Sequence, residues 1–104
     1  MTGFDTFEDF IEENEGSRFF YGGYSPDGRL IRTECADSLK DLLATLCIEG
    51  VVKPSVIEDY GFRSRDDIHD LRTSNEELLG LITYQTYDYR VVVFDKSTEH
   101  LQHS

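Results

Sequence analysis

Residues 37–50 read DSLKDLLATLCIEG, and the start, buried face and stop of a helix are all written into them. Leu39, Leu42, Leu43, Leu46 and Cys47 recur at the i, i+3, i+4, i+7, i+8 spacing that places them on one helical face. Asp37 or Ser38 can accept from the free amides of the first turn, and Asp41 completes a Ser-x-x-Asp capping box. Gly50 supplies the residue that turns left-handed after the last turn. An apolar stripe of this kind needs a cover, and the flanking segments are read for what could provide it.

Immediately before this helix, Arg18–Tyr24 is rich in aromatics, Ser25-Pro26-Asp27-Gly28 is a turn, and Arg29–Glu34 resumes with Leu30 and Ile31, which predicts a hairpin. Strand alternation sends one of Phe19 and Phe20 beneath the central helix. Gly22 and Gly23 predict a bulge or a close backbone approach, and no phosphate-loop spacing surrounds them. Further upstream, residues 4–15 form an amphipathic helix with Phe4, Phe7, Phe10 and Ile11 on one side and Glu8, Asp9, Glu12 and Glu13 around the rest.

After the central helix, Pro54 suits the first turn of a short helix carrying Val56, Ile57 and Tyr60, which Gly61 ends. Ser64-Arg65-Asp66-Asp67 and Ser74-Asn75-Glu76-Glu77 are two more capping boxes, leading into Ile68 and Leu71 and into Leu78 and Leu79. Beyond Gly80 the residues favour β-structure, so Leu81–Gln85 and Tyr89–Asp95 are expected to pair as a second hairpin around Thr86, Tyr87 and Asp88. Val91–Phe94 is a continuous apolar run that reads as a strand buried on both faces. If that strand were a free edge, it would favour a homodimer by strand pairing.

The expected fold is a single α+β domain over residues 1–96, an antiparallel sheet of about four strands with helices packed on one face, followed by a polar tail at 97–104. The competing architecture is winged-helix-like, with helices at 38–49, 54–60 and 64–72 followed by a hairpin.

A chain of 104 residues is long enough for one core without metals or disulfides, and its two cysteines, Cys35 and Cys47, form neither a CxxC pair nor a zinc-type grouping. They are expected to be reduced and buried. No segment has the length and apolarity of a membrane span, and the first residues lack a signal-peptide pattern, so a cytoplasmic protein is expected. With 21 carboxylates against 10 basic side chains, the formal charge is −11. That field opposes nucleic acid at ordinary salt and anionic membranes, and it favours a basic protein surface as partner. Adaptation to a salty cytoplasm would account for the same acidity.

Two sets of residues follow as binding candidates. Glu8, Glu12 and Glu13 would steer a basic partner, while Phe7, Tyr84, Tyr87 and Tyr89 would anchor it, tyrosine offering contact area with a polar tip. On the winged-helix alternative, a transcription regulator from a salt-adapted organism, Arg63, Arg65 and Arg72 would contact phosphate, although Asp66, Asp67 and Asp70 balance them locally. Catalysis has one candidate group, Asp66, His69 and Asp70 on a helical face, which first-turn capping explains equally well. His100 and His103 have a spacing that could chelate a metal weakly, yet a polar terminus accounts for them. No elbow serine, HExxH or cysteine–histidine signature is present. The expectation is a non-enzymatic regulatory or inhibitory protein, with no cofactor and no metal.

Overall fold

The computed structural model describes residues 6–97 and the backbone of residues 100–103. In chain order the elements are α1 (Phe7–Glu13), β1 (Phe19–Tyr24), β2 (Leu30–Ala36), α2 (Leu39–Ile48), α3 (Pro54–Tyr60), α4 (Arg65–His69), α5 (Asn75–Tyr84) and β3 (Arg90–Asp95). Together they make a small α+β domain built on an antiparallel sheet, with β1 in the centre, β2 on one side and β3 on the other.

Helix α2 forms as its residues dictate: the Ser38 hydroxyl accepts from the Asp41 amide at 3.1 Å, and Gly50 takes the left-handed conformation with φ 75°. Leu42, Leu43 and Leu46 are wholly buried beneath it, against Phe19 and Tyr21 of β1 and Val91 and Val93 of β3. Each buried leucine contributes about 1.5–3 kcal/mol by leaving water. Val56, Phe62, Ile68, Leu78 and Ile82 from α3–α5 and their connections close the same core. The hairpin turns at Gly28, φ 84°, and its register shifts between Gly23 and Tyr24 as the glycine pair predicts.

The expectation that helices pack on one face is corrected by α1, which lies on the opposite face. Phe7 and Phe10 pack there against Phe20 and Val92, with Phe10 and Phe20 edge to face at 6.0 Å. The physical reason is strand alternation: Phe20 and Val92 point away from α2, and an apolar face without a helix over it would stay in water. Thr6 caps α1 by accepting from the Asp9 backbone amide, and the Asn14 side chain donates through Nδ2 to the Phe10 carbonyl at its end, so the helix is shorter than the predicted 4–15. Phe4 lies outside the described residues.

A second correction concerns Leu81–Gln85, expected as a strand. It belongs to α5, whose Ser74 hydroxyl accepts from the Glu77 amide at 3.1 Å and whose Leu78, Leu81 and Ile82 are buried on one face. The Thr83 hydroxyl folds back onto the Leu79 carbonyl at 2.9 Å. Burial of three aliphatic side chains outweighs the few tenths of a kcal/mol by which Thr83 and Tyr84 disfavour a helix, roughly 0.5 kcal/mol each. The second hairpin is therefore absent, and β3 pairs with β1 instead. The winged-helix order fails at the same point, because α5 stands between α4 and the next strand.

Val91, Val92 and Val93 are buried from both sides, as the apolar run predicts. They are not an edge, because β1 lies along one flank of β3 and the backbone of His100–His103 runs antiparallel along the other. The side chains of residues 100–103, and all of residues 98, 99 and 104 of the predicted polar tail, lie outside the described residues. Cys35 and Cys47 are free and half-buried, and they pack in the clusters on opposite faces of the sheet. Among the described residues, no helix is long and apolar enough to cross a membrane.

Candidate functional site

The connection from α5 to β3 carries the most distinctive surface of the molecule. Its short path is tied down by backbone hydrogen bonds to the segment after α2, Lys53 amide to Gln85 carbonyl and Tyr87 amide to Val51 carbonyl, both 2.9 Å. Between them Val52 and Thr86 form an isolated antiparallel bridge. This pins the loop to the core, and three tyrosines project here, Tyr84 from the last residue of α5 and Tyr87 and Tyr89 from the loop, 64 %, 63 % and 72 % exposed. With Lys53, Thr83, Thr86 and Asp88 they surround a shallow depression.

Beneath that rim lies a buried polar network that the sequence analysis did not identify. The Tyr21 hydroxyl donates to Asp88 Oδ2 at 2.6 Å, and Arg32 Nε donates to the same oxygen at 3.0 Å. The Asp88 side chain is only 3 % exposed. Thr86 Oγ1 sits 3.3 Å from the tyrosine hydroxyl and donates to the Ile82 carbonyl. Burial, with the neighbouring Asp88 carboxylate, holds the Tyr21 phenol protonated well above the usual tyrosine range. The network is possible because residue 23 is glycine. A Cβ there would stand 2.6 Å from Asp88 Cγ and closer still to Oδ2. The one sequence signal for this arrangement was the Gly22-Gly23 pair, since its predicted close approach is made by Asp88 at Gly23 and by the Phe7 ring at Gly22.

The next residue after the rim, Arg90, opens a second depression on the other face. This groove of about 780 Å³ runs between α1 and the sheet, with an apolar floor that includes Ile11, Leu30, Val92 and Phe94. Arg90 lies over the Tyr24 ring at 5.7 Å, and Arg29, Glu8 and Glu12 also line the groove. Rim and groove thus meet at consecutive residues, Tyr89 and Arg90. Glu13 is exposed on α1 but does not line the groove.

The remaining candidates are placed differently. Phe7 is no surface anchor: it is buried, its ring packed against Gly22, because α1 needs it to hold the sheet. Arg63, Arg65 and Arg72 are exposed. Arg65 lies 4.0 Å from Asp41, and the Arg63 amide donates to the Asp67 carboxylate as part of the α4 cap. Helix α4 has five residues, buries Ile68, and is held to α2 by Lys40 donating to the His69 carbonyl at 3.0 Å. His69 Nε2 meets Asp41 at 2.9 Å, so its partner is on α2 and not Asp66 or Asp70 of its own helix. Among the described residues, no three His, Cys, Asp or Glu side chains converge to hold a metal ion. No protein-family model, curated protein or solved structure matches the chain.

Proposed function

We propose that this protein is a small, acidic, non-enzymatic binding module that docks on a basic surface of a partner protein, blocking or recruiting it, with Tyr84, Tyr87 and Tyr89 as the anchors. The observation that carries this reading is the exposure of three large aromatic side chains on the end of α5 and the pinned loop that follows it. Exposed tyrosines on a stiff backbone lose little conformational freedom when a partner covers them, and aromatic anchors supply a large share of affinity at protein interfaces. Glu8, Glu12 and Glu13, with the rest of the −11 charge, draw a basic partner in and raise the association rate. Free, half-buried cysteines suit a reducing cytoplasm.

The test is capture from extracts of the source cells on immobilised protein, wild type beside a Tyr84→Ser/Tyr87→Ser/Tyr89→Ser variant. The expected result is a basic protein retained by the wild type at about 50 mM salt, released near 0.5 M as the charges are screened, and lost by the variant. Each single substitution should weaken the purified complex by roughly 30-fold where the tyrosine is a central anchor. Equal capture by wild type and variant refutes the reading.

A further inference from the structure

Strand β2 is the outer strand of the sheet on its side. Among the described residues, backbone hydrogen bonds reach residues 30–35 only from β1, so the other row of N–H and C=O groups faces outward. An open edge of this kind is a template for another strand. Its central residues are Arg32, Thr33 and Glu34. Two copies related by a two-fold axis pair antiparallel, and each choice of axis sets which residues oppose each other. With the axis through Thr33, Arg32 of each copy stands opposite Glu34 of the other, and Thr33 faces its own counterpart. An axis through Arg32 sets the two arginines against each other, and an axis through Glu34 does the same with the two glutamates; because successive side chains alternate faces, an axis between residues gives no pairing.

We propose that β2 is a self-association edge, on which a second copy of this chain adds its own β2 antiparallel in the register centred on Thr33. Opposite charges directly across strands favour the pair, as does threonine facing threonine. Arg32 uses its Nε on Asp88 and keeps its two terminal nitrogens for a carboxylate across the axis. Within its own chain Glu34 is hydrogen-bonded to the Glu49 carboxyl and feels Arg32 of the same strand only through space, whereas the second copy's Arg32 stands directly opposite it. The bulge at Ile31, where β2 begins, confines the matched stretch to the residues from Arg32 onward.

Sedimentation equilibrium of the purified chain at about 0.15 M salt, where the overall like charge is screened beyond roughly 8 Å, reads the association directly. The expected result is a concentration-dependent dimer. In Glu34→Arg both pairs become like-charge pairs, so the dissociation constant should rise by at least about ten-fold while circular dichroism stays unchanged. Thr33→Cys should crosslink across the axis under mild oxidation, because directly opposed residues lie at about the 4.5–5.5 Å Cα separation a disulfide accepts. Ser55→Cys, exposed on α3, and the wild type serve as the controls that should not crosslink. A wild type that stays monomeric at several hundred micromolar overturns the proposal, leaving the edge to a strand of another protein. A dimer indifferent to Glu34→Arg, with no preference for the Thr33→Cys crosslink, overturns it as well.

Discussion

Replacing Gly23 with alanine tests the buried network with a single methyl group. The added carbon would stand 2.6 Å from Asp88 Cγ, well inside van der Waals contact, and neither β1 nor the pinned loop can retreat far. The carboxylate must move, and the bonds it accepts from Tyr21 at 2.6 Å and from Arg32 at 3.0 Å stretch or break. A hydrogen bond to a charged group is worth about 1.5–3 kcal/mol, and a buried group left without its partner costs about 1–3 kcal/mol. Thr86 stays beside the tyrosine hydroxyl and offsets part of the loss, so we expect a net destabilisation of roughly 3 kcal/mol. For a domain this size that lowers the melting temperature by roughly 10–20 °C. Urea unfolding should show a lower midpoint with an unchanged slope.

Two comparisons make that result specific. Gly80 lies in the interior of α5 with open space where a Cβ would go, so Gly80→Ala should stabilise by about 0.5–1 kcal/mol. The same chemical change thus has opposite signs at two glycines. In an Asp88→Ala background the Gly23→Ala cost should fall by more than half, because the obstructing carboxylate is gone. A Gly23→Ala protein within about 0.5 kcal/mol of wild type, or one equally destabilised without Asp88, would refute the reasoning.

Three further outcomes are expected. Gly22→Ala brings a methyl to 2.9 Å from the Phe7 ring and should lift α1 from the sheet, read as at least about ten-fold faster amide exchange in residues 7–13 with α2 unchanged; uniform exchange would contradict that placement. The Glu34 carboxyl is pushed up to about 7, by burial and then by the Glu49 carboxyl, against an ordinary value of 4.5. The folded chain therefore binds more protons than the unfolded chain between those values, and the stabilisation present below pH 4.5 is lost as pH rises through 7. Glu34→Gln should accordingly gain stability over wild type between pH 5 and pH 8 in dilute protein, and parallel pH curves would be evidence against this coupling. Tyr21 acts at the alkaline end: the unfolded phenol ionises near pH 10 while the folded one keeps its proton, so stability falls as pH climbs above 10. Tyr21→Phe should flatten that fall, and an identical slope would remove Tyr21 from it.

Chain-local signals and long-range packing divide this protein cleanly. The sequence by itself determined α2, from the leucine spacing, the Ser38 cap and Gly50. It determined the first hairpin, from Pro26 and Gly28, and the start of each later helix, from Pro54 and from the boxes at Ser64 and Ser74. It also marked Val91–Phe94 as a strand buried from both sides. These features depend on neighbours within a few residues, or on the apolar content of one segment, and that information is local. What only the tertiary structure decided is where each element goes. Thr83 and Tyr84 favour a strand until burial of Leu78, Leu81 and Ile82 carries the helix through them. Phe7 has the composition of a surface anchor until the uncovered face of Phe20 and Val92 takes it in. Asp88 reads as a polar turn residue, and only the arrival of Tyr21, Arg32 and the bare backbone of Gly23 from 56 to 67 residues away makes it the buried centre of a network. The tyrosine rim was legible as a cluster, but its exposure was not. Whether a ring meets core or water depends on which strands flank it, and periodicity along one segment does not contain that.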